Sequence, residues 1–265
     1  MNVSFSIVVP VYNEVDIIDK FAKKLFDTFG HLKVKFIFID DGSKDGSQKW
    51  LKDNIKVIFN KNSFELILIK NNRGKGFAVR QGIEKIEGDY TIFIDSDLEY
   101  DPKDALELLH IVNNNENKNI KALFGSRYIG GQLQLRRHFL NDIAVRLNTW
   151  IFNLLFNQSI TDLHSGTKII ENYLLKSLKL TLNGFGHEID ISSQISAKKI
   201  NIYETGISYV ERSFEEGKKI TIIDGILSYY FLFRARFLQN DIYTKISMLY
   251  SLSFMTFIGS FFGMG

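Results

Sequence analysis

Between residues 5 and 126, short apolar runs alternate with stretches of helical character, and this alternation constrains the fold more than any single motif. The runs FSIVVPV, VKFIFID, FELILIK, DYTIFID and KALFGSR are rich in β-branched and aromatic residues, which predicts strands. Segments 14–29, 46–54, 75–87 and 102–113 carry helical patterns. Together they predict an α/β protein, with a mainly parallel central sheet flanked by helices. Ligands of such sheets sit beyond the carboxyl ends of the strands. The polar motifs VYNE, DDGSKDGS, NNRGKG and DSDLE all fall there, so topology gathers them on one edge.

The DSDLE motif is the most charged. In IFIDSDLEYDP, three apolar residues run into Asp95, Asp97, Glu99 and Asp101, an acid at every second position. If extended geometry persists, Asp95, Asp97 and Glu99 share one side of the strand. Converging carboxylates raise one another's pKa unless something positive sits among them, and a divalent cation with oxygen ligands meets that need. Asp101, directly before Pro102, reads instead as the N-cap of a helix. DDGSKDGS, with Asp40 and Asp41, fits an ordinary turn and helix cap as well as a site. NNRGKGFAVRQG is a Gly-rich turn opening a helix, suited to an anion, but it matches neither a Walker A motif nor a dinucleotide fingerprint.

The second half is less regular. Helices are predicted at 139–156 and 188–199, with a strand pair around INIYETGISYV. In ITIIDGILSYYFLFRARFL an apolar stripe (Ile223, Ile226, Leu227, Tyr230, Phe231) precedes Arg234 and Arg236. Residues 246–265 then run for 20 positions without a charge, about the length of a bilayer crossing. Such a pair of segments predicts attachment to a membrane surface.

Composition narrows the classes. An apolar fraction of 45% supports a sizeable core, and 33 basic against 30 acidic residues, net +3, give no case for nucleic acid. Without cysteine there is neither a disulfide nor thiolate chemistry. No charged segment followed by an apolar one precedes the first strand, so no signal peptide is expected.

Read together, VVPVYNE, FIDDGSKDGS, GKGFAVRQG, DSDLEYDP, FGSRYIGG, TDLHSGTKI, GFGHEIDI and ERSFEEGKKITIIDG resemble the family 2 glycosyltransferases of the GT-A fold. The resemblance runs from residue 5 to about 237. It is closest to the branch of dolichol-phosphate mannosyltransferase, dolichyl-phosphate glucosyltransferase and bacterial polyprenyl-phosphate relatives. It implies a GT-A catalytic domain over 1–217 and membrane-associated helices over 218–265. It also implies inverting, metal-dependent transfer of glucose or mannose from a UDP- or GDP-hexose to a polyprenyl or dolichyl phosphate, at the cytoplasmic membrane face. Pro10, Tyr12, Glu14, Asp41 and Asp95 would hold the nucleotide. Asp95, Asp97 and Glu99 would surround Mg2+ or Mn2+, and Arg127, Arg212 and Lys218 would face phosphates. A structural salt bridge at a strand end is the alternative for Arg127. Relatives often carry Gln where this chain has Glu99, and an aromatic where it has His187.

A hydroxyl acceptor would need a general base, with Glu188, Asp190 or Asp162 as candidates; a phosphate acceptor is already anionic and needs none. His164 and His187 are assigned no role, an isolated histidine being more often a packing or hydrogen-bonding residue than a catalyst, and Glu215 and Glu216 are read as solvated charges. Two competing classes lack their signatures. A sugar nucleotidyltransferase needs a Gly-rich loop straight after the first strand, where this chain has PVYNE. A receiver domain needs its acidic pair there, yet a whole strand–helix unit precedes Asp40. A catalytically silent nucleotide-sugar-binding module would share the motifs without the turnover.

Overall fold

The computed structural model describes residues 3–114, 119–213, 215 and 222–237. Lys218, Glu216 and residues 238–265, including the uncharged stretch, lie outside them. The central sheet has seven strands in the order β3-β2-β1-β4-β7-β5-β8. β1 (Phe5–Val11), β2 (Val34–Asp40), β3 (Ser63–Leu68) and β4 (Tyr90–Phe93) run parallel, linked by α1 (Ile18–Phe29), α2 (Ser47–Ile58) and α3 (Lys75–Ile83). β1 and β2 read as nearly unbroken apolar runs because helices cover both faces; Ile7, Val8, Val9, Ile37 and Phe38 are fully buried. One core layer packs α1, α2 and α4 (Pro102–Asn114) beneath the sheet, and another packs α3 and α7 (His187–Ala197) above it.

The first half follows the alternation: α1 starts later than expected, α2 runs further and α3 stops earlier, while α3 and α4 begin at the expected residues. Beyond it the structure departs from expectation. β7 (Lys168–Glu171) inserts antiparallel between β4 and β5 (Ala122–Ser126), a strand that the residue pattern does not announce. The pair expected around INIYETGISYV separates. β8 (Tyr203–Gly206) joins β5 in the main sheet, while β9 (Tyr209–Val210) pairs with β6 (Gln134–Leu135) in a small second sheet.

α5 (Phe139–Phe156) has the predicted bounds. It packs with α8 (Ile222–Phe237) and α7 around Phe152, Leu163, Ile189, Leu232 and Ala235. α8 thus packs on the rest of the fold, with Leu232 and Ala235 buried in that cluster and Phe231 against it. Among the described residues no helix is long and apolar enough to cross a membrane.

Candidate active site

A cleft of about 620 Å³ opens along the carboxyl edge of the sheet. Its floor carries Pro10, Tyr12, Glu14, Asp41, Asp95, Asp97, Glu99, Arg127 and Arg212, so topology does bring the predicted side chains together. α5 and α8 line it too, with the apolar Leu140, Ala144, Val145 and Tyr229 set among Asn141, Asp142, Asn148 and Ser228.

The acidic loop is not an extended strand. β4 ends at Phe93, and Leu98 takes a left-handed conformation, φ 60°, that turns the chain before Glu99. The three acids then diverge in role. Asp95 lies 2.8 Å from the Lys75 ammonium. Asp97 accepts the Glu99 N–H at 3.0 Å and stands 3.8 Å from an Arg212 nitrogen. Glu99 is engaged on both oxygens, by Arg212 N–H at 2.9 Å and the Tyr209 hydroxyl at 3.0 Å. Glu99 thus ties the 209–212 segment to the acidic loop, and its expected place as a third metal ligand is not what the geometry displays. Among the described residues no group of three acidic or histidine side chains gathers at metal-holding distance. Asp101 behaves as expected of an N-cap, accepting Lys103 N–H at 3.0 Å.

Two carboxylates remain for a divalent ion, and they fit one. Burial first, then Glu99 and Asp95, push the Asp97 carboxyl up to about 7, the mark of negative charge crowded without enough compensation. The chain also makes room for Asp95: a Cβ on Gly166 would lie 2.1 Å from its Oδ2. Mg2+ is commonly held by one or two protein carboxylates plus substrate phosphates, which matches Asp95 and Asp97.

The nucleotide-side residues are arranged by backbone. Asp41 accepts the N–H groups of Arg73 and Gly74 at 3.0 and 2.7 Å, fixing the Gly-rich turn that opens α3. Gly74 sits at φ +95°, and a side chain there would meet the Asn183 carbonyl at 2.5 Å. Burial outweighs those two hydrogen bonds and raises the Asp41 carboxyl. Glu14 forms a two-point pair with Arg212, at 2.9 and 3.2 Å. Pro10 contributes its carbonyl to the Ser96 hydroxyl at 3.0 Å.

Arg127 adopts the structural alternative. Its guanidinium grips Asp162 at 2.7 and 2.8 Å, and Asp162 also accepts the Arg127 backbone N–H at 3.0 Å. Burial alone would raise the Asp162 carboxyl, but the guanidinium overrides it and holds it below its ordinary value. Asp162 is fully buried and committed. Asp190 is committed too, to the N–H groups of Thr181 and Leu182 and to Gln194.

Lys75 is the functional candidate that motif reading missed. Its ammonium lies between Asp95 and Glu188, 3.1 Å from the latter. Burial disfavours its charge, yet the two carboxylates more than offset this and raise its pKa. Burial would raise Glu188, but Lys75 and a hydrogen bond from His164 override it and hold the carboxyl well below its ordinary value. The sequence signal was present, a lone lysine in the turn facing an acidic edge, but its partner Glu188 lies 113 residues away. His187 is buried and kept neutral, its pKa lowered to about 4 by desolvation, and its Nδ1 lies 3.2 Å from the Gly184 carbonyl. That is the packing and hydrogen-bonding position more usual for an isolated histidine than catalysis.

A sheet-edge cleft with a paired acidic loop under a helical wall defines a GT-A-like α/β glycosyltransferase fold. Consistent with this, a crystal structure of glucosyl-3-phosphoglycerate synthase from Mycobacterium tuberculosis superposes with a TM-score of 0.64 at 18% identity, covering 88% of this chain and 80% of that one. The same enzyme has been solved with Mn2+, UDP and glucosyl-3-phosphoglycerate. The sequence model "Glycosyl transferase family 2" matches residues 6–177, and the chain belongs to that family of glycosyltransferases. Among curated relatives, dolichyl-phosphate beta-glucosyltransferase of Saccharomyces cerevisiae is 30% identical over 245 residues, spanning 83% of this chain and 70% of the relative. The enzyme of that name from Dictyostelium discoideum is 28% identical over 221 residues, 79% of this chain and 67% of the relative.

Proposed function

We propose that this glycosyltransferase moves a hexose, with glucose the first candidate, from a nucleotide-sugar to a polyprenyl phosphate, with inversion, at the cytoplasmic face of a membrane. The observation that carries the reading is a cleft that sets the charged side chains of the sheet edge beside the apolar Leu140, Ala144, Val145 and Tyr229 of α5 and α8. One molecule with a phosphate at the end of a hydrocarbon chain matches both. Curated relatives named for dolichyl phosphate and glucose support the same acceptor and sugar.

In this reading Pro10, Tyr12, Glu14 and Asp41 cradle the nucleoside, and Asp95 and Asp97 would hold Mg2+ or Mn2+ against the diphosphate. The ion supplies positive charge where negative charge develops on the leaving group. Arg212, already oriented by Glu14 and near Asp97, adds a second cation there. Arg127 supports that edge through Asp162, and Lys218 keeps its expected phosphate-facing role. The acceptor phosphate oxygen attacks the anomeric carbon as the bond to the diphosphate breaks, and the nucleoside diphosphate departs.

The three candidate bases are poorly suited to deprotonate a hydroxyl. Asp162 and Asp190 are bonded elsewhere, and Glu188 is a depressed carboxylate paired with Lys75. A phosphate acceptor needs no base.

The test is nucleoside diphosphate release from a panel of UDP- and GDP-hexoses, with and without polyprenyl phosphate. Release should require the lipid phosphate and a divalent ion, and EDTA should abolish it. Asp97→Asn should lower turnover by about 10²–10³-fold while leaving the melting temperature unchanged or higher. Acceptor-independent release, or full activity in EDTA, would sink the proposal.

A further inference from the structure

α5 buries one face and leaves the other apolar and uncovered. Asn148, Thr149 and Phe152 are buried against α8 and α7. Phe139, Leu140, Ile143, Leu147, Trp150 and Leu154 are exposed, with Phe139 at 75%, Trp150 at 62% and Leu154 at 70%. At about 100° per residue, these six fall within an arc of about 100°, opposite the buried face. Singly exposed apolar residues need no explanation, but a six-residue stripe with two aromatics marks an interaction face.

Three features choose its occupant. The stripe is continuous with the cleft, because Leu140 belongs to both. Its flank carries three arginines: Arg136 and Arg146 pair with Asp142 at 3.3 and 2.9 Å, the Arg137 guanidinium donates to the Glu211 backbone carbonyl at 2.9 Å, and Arg146 is half exposed. Trp and Phe beside Leu and Ile, edged by arginine, is the composition of a helix that lies in a lipid interface. We infer that the outer face of α5 seats the protein on an anionic bilayer, with the cleft mouth at headgroup level. The inference rests in part on the lipid-phosphate reading, and it assigns the membrane contact to a helix that the residue pattern did not single out.

The chain has two tryptophans, and Trp50 is partly buried against the core. In a Trp50→Phe background, Trp150 emission therefore reports on this face alone. With vesicles of equal parts phosphatidylglycerol and phosphatidylcholine, the emission should shift to the blue, and brominated acyl chains should quench it. Trp150→Glu with Leu154→Glu, both outside the cleft, should weaken vesicle flotation by about tenfold or more. The double variant should keep its melting temperature and its transfer to a short-chain, water-soluble polyprenyl phosphate. Wild-type-like flotation of the double variant, or an unmoved Trp150 spectrum in protein that floats, would overturn the inference. So would emission already blue without vesicles, which would mean that the chain's own residues 238–265 cover the stripe. A shift that follows protein concentration, with dimers in sedimentation, would assign the face to a second copy and overturn it too. Flotation through α5 without any sugar transfer to lipid phosphate would leave this inference standing and sink the functional proposal instead.

Discussion

Arg127→Met separates a pillar of the fold from a phosphate clamp. The guanidinium and Asp162 share two short contacts, and neither group has an aqueous alternative, at 8% and 0% exposure. Removing one partner of such a pair leaves a buried charge uncompensated, which costs about 3–5 kcal/mol. For a chain of this size each kcal/mol moves the melting temperature by about 2–4 °C, so a fall of about 6–20 °C is expected. Asp162→Asn keeps an oxygen for the Arg127 backbone N–H. Added to Arg127→Met it should restore much of the loss, whereas alone it strands the guanidinium and is itself costly.

The pH dependence has a definite sign. The folded pKa of Asp162 is depressed, so its stabilisation is complete above the ordinary carboxylate range and is lost as pH falls through the folded value. Without the guanidinium, burial dominates and the carboxyl takes up a proton at higher pH. The gap between wild type and variant should therefore be widest near pH 7.5 and narrower at pH 5. Urea unfolding and calorimetry at both pH values read this out. A change below about 1 kcal/mol at pH 7.5, accompanied by a collapse in turnover, would refute the pillar and return Arg127 to the substrate.

Three further outcomes follow from the same geometry. Gly166→Ala places a Cβ 2.1 Å from Asp95 Oδ2, so the carboxylate must move, and turnover should fall at least about tenfold with the fold retained; normal kinetics would show that the Asp95 position is not critical. Glu188→Gln should keep more than about a tenth of wild-type turnover, within the range left when no general base is lost. Asp190→Asn should cost about 1–3 kcal/mol by weakening three hydrogen bonds while sparing chemistry. Loss of turnover in either carboxamide variant, with donor binding intact, would favour a hydroxyl acceptor.

What the sequence disclosed was mostly local. The apolar runs of β1 and β2 and the helical pattern of 139–156 each carry their period within themselves, and each formed where its period placed it. β7 did not, because nothing in KIIE records that it will lie antiparallel between strands far away in the chain. The alternation of acids after Phe93 looked like strand period, but Leu98 breaks the extension, so Glu99 leaves the group. The commitments of Arg127 to Asp162 and of Lys75 to Asp95 and Glu188 are tertiary pairings, invisible to motif spacing. Motifs placed these side chains at one edge; only the folded chain assigned their partners.

The clasp between Glu14 and Arg212 joins residues 198 positions apart, and Glu99 holds the same arginine's backbone. A ribosome delivers this chain from its first strand onward, so residues 6–177 emerge while the late half of the clasp is still unmade. That edge of the cleft is thus completed by one of the last described segments before α8. A nascent chain can assemble most of the sheet and still lack a finished cleft.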